Sequence, residues 1–385
     1  MSEKKHVLML LSNPFRPDPR VHREAKSLVN AGYEVTILCW DREQRYPTEE
    51  TIDGIRIKRM GPRCGYGKAS DMIRSLPRFW KNLRKEATNM NFDIIHAHDL
   101  DTLSPALRIS SKRKVPVIYD SHEIYHEMAG ENLSGVFLKL LASYERRMVR
   151  KPRMMITVNE PIADIFKGFG ASDVRVIMNC QPEPQVDAGK VEAIRKTLTP
   201  DGKRIVLYIG VLEPNRLLLE LAEAHSKSKG DFILAIGGFG SLESGIAEIA
   251  KSGNGRVKFI GKVEPASVPT YNAASTVLLA AYDPGLKNNR MGAPNKLFES
   301  MASSKPIIVS KGTYAARIVE ESGCGLAVGY NADSVLSAAL KLLNDSALHA
   351  KCSVAGRRAY GEKYNWAVME KRLLGIYSEL LNHSD

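Results

Sequence analysis

The segment Pro294-Asn-Lys-Leu-Phe-Glu-Ser-Met-Ala-Ser-Ser-Lys-Pro-Ile-Ile-Val309 contains a short helical pattern that passes almost directly into a buried strand. Pro294 fits the first turn of a helix, where its missing N–H leaves no hydrogen bond unmade. The run from Pro306 to Val309 is rich in β-branched residues, which is typical of a strand covered on both faces. A helix followed at once by such a strand is the repeating unit of a parallel α/β sheet.

Short β-branched runs alternate with helical patterns along the whole chain. Helical patterns occur, for example, at residues 21–31, 134–150 and 161–167. This alternation predicts an α/β fold with parallel strands. The predicted strands are 6–11, 34–40, 54–60, 92–96, 115–119, 153–158 and 173–178 in the first half, and 204–209, 232–236, 256–260, 276–281, 306–309 and 325–328 in the second.

Residues 180–203 interrupt the alternation with three prolines and little apolar periodicity. We therefore predict a first domain over residues 1–180, a linker over 181–203 and a second domain over 204–365. Residues 366–385 are predicted to form a helix that packs back on the first domain. The expected architecture is two doubly wound Rossmann-like domains that face a central cleft.

The composition is ordinary for a water-soluble protein, with 44% hydrophobic and 25% charged residues. No apolar run approaches the roughly 20 residues that span a bilayer, and no secretory signal pattern is present, so we expect a cytoplasmic protein. Five dispersed cysteines form no CxxC pair, which argues against disulfides and zinc. His96 and His98 share a strand face, but no third ligand stands at a suitable spacing, so no metal site is predicted.

The chain carries 55 lysines and arginines against 43 acidic residues, a formal charge of +12. This excess indicates an anionic partner: nucleotide phosphates, nucleic acid or an acidic membrane face. Nucleic-acid binding predicts aromatic and basic residues alternating on an exposed sheet, and we find no such pattern. We therefore expect no nucleic-acid partner.

Residues 70–88 form a basic amphipathic pattern with two possible interpretations. Met72, Leu76 and Trp80 recur at helical spacing, and arginines and lysines fill the other side. With Phe79 and Trp80, such a helix can lie on an anionic membrane surface. Alternatively, the apolar face packs in the core and the basic face is solvated.

Several predicted strands of the first half end in polar residues, where open α/β sheets bind their ligands. His98 and Asp99 fit a contact to a sugar hydroxyl. His122 and Glu123 follow the next strand. Polar side chains at such a position must be exposed to solvent or take part in function, and a role as general acid or base is one option. Arg20 lies in the first turn of a helix, and we predict that it forms part of a rigid cationic rim of the cleft. Purely structural roles remain open for all of them.

The second half places cations and glycines at strand ends. Arg216 stands at a helix start, where a cation is unfavourable unless an anion lies over that terminus. Gly210 and Gly238 let a ligand approach the backbone closely. Lys296 and Glu299 share a helix face, so the cation can meet phosphate while the carboxylate accepts from ribose hydroxyls. A surface ion pair is the alternative.

Taken together, the motifs resemble the retaining family 4 glycosyltransferases (glycosyl transferases group 1), which have the GT-B fold. The resemblance covers nearly the whole chain. It implies transfer of a sugar from a nucleotide-diphosphate donor to a glycan or lipid-linked acceptor hydroxyl, in cell-surface polysaccharide biosynthesis, without a bound metal or cofactor. The motifs are, in order, Asp18-Pro-Arg-Val, Asp93-Ile-Ile-His-Ala-His98, Val176-Ile-Met-Asn179, Tyr208-Ile-Gly210, Phe259-Ile-Gly261 and Pro294-Asn-Lys-Leu-Phe-Glu299-Ser-Met-Ala.

The resemblance also implies which residues act. The first domain is expected to bind the acceptor and the second the donor. Glu299 matches the carboxylate that holds the donor ribose, and Gly292 the glycine beneath the transferred sugar. The predicted catalytic residues are His98, which touches that sugar, Arg216, which replaces a diphosphate-binding lysine, and Lys296; Asn295, Gly238 and Gly210 complete the donor side, and Arg20, Asp99, His122 and Glu123 the acceptor side.

Three positions depart from the family pattern. Met291 stands where the family has the first of two motif glutamates, Val211 replaces an arginine, and Asn13-Pro14 replaces a Gly-Gly turn. Lys296 is the expected substitute for the lost arginine. The departures leave two alternatives open: a GT-B-fold sugar-nucleotide epimerase and a non-catalytic nucleotide-binding partner subunit.

Overall fold

The computed structural model describes residues 4–16, 18–65, 69–129, 135–252 and 254–382, apart from the side chains of 69, 70, 73 and 382. The chain divides into two compact units. Unit 1 comprises Met1–Asn179 with Met369–Asp385, and unit 2 comprises Cys180–Val368. Each unit is an α/β domain built on its own sheet, and together they have the GT-B fold.

Unit 1 has an eight-stranded sheet in its described part. Its strands are β1 His6–Leu11, β2 Glu34–Trp40, β3 Glu49–Ile52, β4 Ile55–Met60, β5 Ile94–His98, β6 Val117–Ser121, β7 Met154–Thr157 and β8 Val174–Val176. They lie in the order β3-β4-β2-β1-β5-β6-β7-β8. Its helices are α1 Pro19–Asn30, α2 Ala69–Thr88, α3 Leu100–Arg113, α4 Tyr125–Ala129, α5 Gly135–Met148 and α6 Glu160–Gly168.

The sheet of unit 1 is parallel except at one edge. β3 pairs antiparallel with β4 and was not predicted, because Glu49-Glu-Thr-Ile52 lacks an apolar run. An edge strand tolerates such polar residues since one of its sides meets solvent. The central strands β1, β5 and β6 are buried along almost their whole length, although β5 and β6 end in polar residues.

Unit 2 has a six-stranded, wholly parallel sheet in the order β11-β10-β9-β12-β13-β14. Helix α7 lies within the segment predicted as a linker, and Asp187 caps its first turn. The strands are β9 Arg204–Val211, β10 Phe232–Phe239, β11 Val257–Gly261, β12 Val277–Ala280, β13 Ile307–Ser310 and β14 Gly325–Val328. The helices are α7 Ala188–Leu198, α8 Leu218–Lys227, α9 Glu243–Ser252, α10 Val268–Ala274, α11 Lys287–Met291, α12 Asn295–Ala302, α13 Tyr314–Ser322, α14 Ala332–Asn344 and α15 Ser346–Glu362.

The last helix, α16 Trp366–Asn382, contributes its greater part to unit 1. Tyr377 is fully buried there, and its hydroxyl lies 2.6 Å from Nδ1 of His96 on β5. Arg175 on β8 forms an ion pair with Glu379 at 3.2 Å. The C-terminal helix is therefore part of the core that supports the carboxyl end of β5.

Helix α2 corrects one sequence prediction. Phe79 and Leu83 are fully buried, and the Phe79 ring stacks on Trp40 with 4.8 Å between centroids. Trp80 Nε1 donates to the carbonyl of Asp101 at 2.7 Å. The expectation that this apolar face of helix 70–88 lies on a membrane is wrong, because the face packs in the core of unit 1 and only the basic side is exposed. Nor does any helix in the described residues have the length and apolar character needed to cross a bilayer.

The stacked pair gives a stability prediction. Replacing Phe79 by alanine leaves a cavity against Trp40, so we expect the free energy of unfolding of unit 1 to fall by about 3–5 kcal/mol. Urea denaturation followed by the fluorescence of Trp40 and Trp80 measures it. The control is Phe137→Ala, at a side chain that is 65% exposed, with an expected change within about 0.5 kcal/mol. Equal effects of the two substitutions would contradict the packing of α2 described above.

Candidate functional site

In unit 1, the polar cluster forms where β5 and β6 end side by side. His98 pairs in register with Asp120, so the two parallel strands deliver a histidine and a carboxylate to the same edge of the sheet. Both side chains are fully buried. His98 Nδ1 lies 3.4 Å from Asp120 Oδ2, and the His96 and His98 rings stack with 4.3 Å between centroids.

Arg20 neutralises this buried carboxylate. Its Nε and Nη2 donate to the two oxygens of Asp120 at 2.9 and 2.8 Å, and Nη2 also lies 3.1 Å from Glu24. Its Nη1 donates to the Ile177 carbonyl and to Asn179 Oδ1. Arg20 is only 6% exposed. It is therefore not the exposed cationic rim expected from the sequence, but the counter-ion of a buried pair of carboxylates.

His122 joins the same network from the loop after β6. Its Nε2 lies 3.1 Å from Asp120 Oδ2, and its Nδ1 lies 3.3 Å from Asp99 Oδ2. Its backbone N–H also donates to Asp99 Oδ1. Asp99 precedes α3 with φ 61° and ψ 165°, a conformation outside the left-handed helical region that is strained for a residue with a side chain. Asp99 and His122 remain partly exposed, at 32% and 23%.

The network shifts the protonation of its members. Burial alone would lower the pKa of His122, but the carboxylates of Asp99 and Asp120 overcome it and raise the pKa to about 10. Burial opposes ionisation of Asp120 as well, yet Arg20 and His122 hold its pKa well below the usual range. Burial raises the pKa of Glu24 to about 6 despite the nearby Arg20. At neutral pH the site thus contains ionised Asp120 between two cations.

The cluster also contains groups that could ligate a metal, which the sequence reasoning missed. One atom each of Glu24, His96, His98 and Asp120 lies within 4.8 Å of the others, because Glu24 and Asp120 supply the ligands that spacing along the chain does not reveal. However, the Arg20 guanidinium already donates to both oxygens of Asp120. A divalent ion would have to displace that guanidinium or lie beside it, which is unfavourable in a buried environment.

In unit 2, glycine residues stand at the carboxyl ends of β9 and β10. Gly210 on β9 pairs in register with Gly238 on β10. Gly238 has φ +136°, and a Cβ there would collide with the carbonyl oxygen of Gly210. Glycine is therefore required at Gly238, where the ends of β9 and β10 approach each other closely.

Lys296, near the start of α12, extends its side chain to the backbone of Gly210. A Cβ on Gly210 would lie 2.5 Å from Lys296 Nζ, so the ammonium group occupies the volume that a side chain at 210 would need. The Nζ atom lies 4.5 Å from the centre of the Tyr208 ring and donates to the Tyr282 hydroxyl at 3.3 Å. The two tyrosines hold the cation in place without neutralising it.

Arg216 follows β9 at the end of a short 3-10 turn, Pro214–Arg216. Its guanidinium lies 3.8 Å from the centre of the Tyr282 ring, and Nη1 donates to Asn289 Oδ1 at 3.3 Å. Its buried Nε has no hydrogen-bond partner in the part of the chain that the structure describes. Within the described residues neither Arg216 nor Lys296 forms an ion pair, so the surface ion pair between Lys296 and Glu299 is not observed.

Glu299 lies one turn after Lys296 on α12. Burial raises the pKa of its carboxyl, while Lys296 and a hydrogen bond with Asn272 oppose that shift. Asn295, the first residue of α12, is exposed. Gly292 ends α11 with its N–H bonded to the Asn288 carbonyl at 2.9 Å. The predicted donor-side residues therefore gather at the carboxyl ends of β9 and β10 and the start of α12.

The sequence reasoning missed several supporting residues. Glu24 could have been found from its i+4 spacing to Arg20, which places both on one helix face. Tyr208 stands two residues before Gly210 and shares its strand face. Tyr282 and Tyr377 carry no local signal, because only the tertiary structure brings them to Lys296 and His96.

Two family models match the chain. The model described as Glycosyltransferase Family 4 matches residues 20–180, and the model described as Glycosyl transferases group 1 matches residues 203–345. A glycogen synthase of Mycobacterium tuberculosis is 22% identical over 387 residues, which cover 93% of this chain and 89% of that protein.

Solved structures share the fold. Sucrose-phosphate synthase from Thermosynechococcus elongatus has a TM-score of 0.79 at 16% identity, covering 99% of this chain and 100% of that chain. HepE of Anabaena, in complex with UDP-glucose, has a TM-score of 0.71 at 15% identity, covering 97% of this chain and 100% of that chain.

The raised pKa of His122 gives a pH prediction. Its protonation stabilises the fold fully below the unfolded pKa of about 6.5, and this contribution is lost as the pH rises through the folded pKa of about 10. We expect His122→Gln to lower the free energy of unfolding by about 1.5–3 kcal/mol at pH 6, with the deficit shrinking steadily between pH 7 and pH 10.

Urea denaturation at several pH values measures this deficit. The control is His22→Gln, since His22 pairs with Asp53 at an exposed site, and little effect is expected there at any pH. A deficit for His122→Gln that is independent of pH would contradict the charged His122.

Proposed function

Because the chain belongs to the family 4 glycosyltransferases, enzymes that use nucleotide-sugar donors, we propose that it moves a sugar from a nucleotide diphosphate to an acceptor hydroxyl with retention of configuration. The acceptor is a glycan or a lipid-linked sugar of a cell-surface polysaccharide pathway. The reaction requires no bound metal. The family assignment favours this activity over the epimerase and the non-catalytic subunit.

The observation that carries the proposal is the pair of unneutralised cations in unit 2. Arg216 and Lys296 both contact Tyr282, and neither forms an ion pair within the described residues. A diphosphate supplies the missing negative charge, and a guanidinium offers the fork that phosphate oxygens fit. The glycine at position 210 lets Lys296 Nζ approach the backbone at the end of β9.

The other donor-side residues follow from this placement. Glu299 accepts from the ribose hydroxyls, and it stands one helical turn from Lys296. Gly292 and Asn295 lie near the transferred sugar. HepE binds UDP and UDP-glucose, so UDP is the first nucleotide to test on this chain.

In the proposed reaction, the acceptor hydroxyl attacks the anomeric carbon on the face that the diphosphate leaves. Negative charge grows on the phosphate oxygens in the transition state, and Arg216 and Lys296 stabilise it. The leaving phosphate accepts the acceptor's proton, so no protein base is needed. Each cation is expected to lower the activation barrier by about 2–4 kcal/mol, the range measured for oxyanion donors.

Unit 1 is proposed to bind the acceptor. Asp99 and His122 are its partly exposed polar groups, and Glu123 follows directly, whereas His98 is fully buried behind them. We propose that Asp99, His122 and Glu123 meet acceptor hydroxyls, whereas the fully buried His98 acts indirectly by positioning Asp120. Arg20 fixes Asp120 and acts on the acceptor through it.

The first of two predictions about the proposed donor site concerns the affinity for UDP. Removing a charge-assisted hydrogen bond costs about 1.5–3 kcal/mol, so Arg216→Gln and Lys296→Gln should each weaken UDP binding by roughly 10- to 150-fold. Titration calorimetry measures it. Arg358→Gln, at an exposed arginine of the same unit, should leave the affinity unchanged. If both site variants bind UDP as the wild type does, the diphosphate does not lie between these cations and the proposal fails.

The second prediction concerns whether UDP binding depends on a divalent metal ion. In the proposed site the protein's own cations neutralise the diphosphate, so excess EDTA should leave the dissociation constant of UDP within twofold of its value in added magnesium. A metal-dependent site would instead lose most of its affinity when the ion is removed. Calorimetric titrations with and without the chelator distinguish these outcomes.

A further inference from the structure

Helix α5 exposes large apolar side chains to an unusual degree. Val136, Phe137 and Leu140 are 71%, 65% and 62% exposed. Tyr144 on the same helix and Met128 on the adjoining α4 are 37% and 45% exposed. Single exposed apolar residues are normal, but a contiguous group of large ones marks an interaction surface. We refer to these five residues as the α5 face.

The α5 face is distinct from the side of the helix that packs in unit 1. At 100° per residue, Val136, Phe137, Leu140 and Tyr144 fall within one arc of about 100°. The inward side instead carries Glu145 and Met148, at 0% and 5% exposure. The exposed apolar residues are therefore surplus to the core, and their exposure costs free energy unless something covers them.

Basic residues predominate along helix α5, beside the α5 face. Residues 135–151 contain five basic residues and a single acidic one, Glu145. Glu145 is fully buried, where it accepts from the backbone N–H groups of Tyr125 and His126. Lys139 and Arg147 are exposed and form no ion pair with any described residue.

We propose that the α5 face docks unit 1 on an anionic lipid bilayer. An apolar stripe with basic residues beside it is the pattern of a helix that lies in the membrane interface, with its apolar side chains in the acyl boundary and its cations among the headgroups. A second copy of this chain fits less well, since pairing two such faces brings like charges together. The membrane contact that the sequence suggested for α2 is assigned here to α5, because α2 buries its apolar side.

The test uses sedimentation of the full chain with vesicles of phosphatidylcholine, with or without one part in four of phosphatidylglycerol, at low salt. The wild type should bind the anionic vesicles at least tenfold more tightly than the neutral ones, because each basic side chain near the surface contributes roughly fivefold. High salt should reverse most of this binding. The substitution Phe137→Glu should lower the partition coefficient at least tenfold, and Lys139→Glu should lower it several-fold on anionic vesicles only.

The matched control is Val354→Glu, because Val354 is 69% exposed on helix α15 of unit 2 and its substitution should leave binding unchanged. Circular dichroism and UDP affinity equal to those of the wild type show that Phe137→Glu is folded, so the outcome does not depend on the donor site. Absence of binding to anionic vesicles at low salt overturns the proposal, as does a Phe137→Glu variant that binds like the wild type. A concentration-dependent dimer of the wild type that Phe137→Glu abolishes also overturns it, in favour of a second copy.

Discussion

Positive charge at the carboxyl ends of parallel strands is the constraint on which the account depends. Both units place arginine or lysine there, but they balance the charge differently. In unit 1, Arg20 is neutralised internally by Asp120 and Glu24, so it stabilises the fold. In unit 2, Arg216 and Lys296 contact tyrosine rings and no described carboxylate. Cations without an ion-pair partner favour an anion from outside, and we propose that this anion is the nucleotide diphosphate of the donor.

This difference also explains how the unit 2 site tolerates its departures from the family pattern. Val211 removes a cation from the end of β9, but Lys296 places its ammonium group against Gly210 on the same strand. The positive charge is retained although its position along the chain has changed. Met291 has no such compensation among the residues described here, and it stands beside Gly292, where the transferred sugar is proposed to lie. Donor choice is therefore expected to differ from that of relatives that keep the glutamate.

The fold was largely predictable from the sequence, because buried parallel strands are continuous apolar runs and β1, β2 and β9 stand out clearly. Strand β3 escaped prediction since its polar residues suit only an edge. The donor-side cations were predicted from local motifs. Tyr282, in the loop after β12, was not, because only the tertiary structure brings it to Lys296 on α12. Likewise, Arg20 was predicted as an exposed group, since nothing local shows that Asp120 lies beside it.

Amphipathicity read from the sequence was ambiguous for a physical reason. Helices α2 and α5 both combine apolar and basic residues, and the pattern alone does not tell whether the apolar side faces a core or another partner. The structure separates them, because Phe79 of α2 is buried and Phe137 of α5 is exposed. The central claim remains the donor site, and a crystal structure of the protein with UDP tests it most directly. The account predicts the diphosphate within hydrogen-bond distance of Arg216 and Lys296, with the ribose at Glu299; a diphosphate bound elsewhere, or a ribose turned away from Glu299, would contradict it.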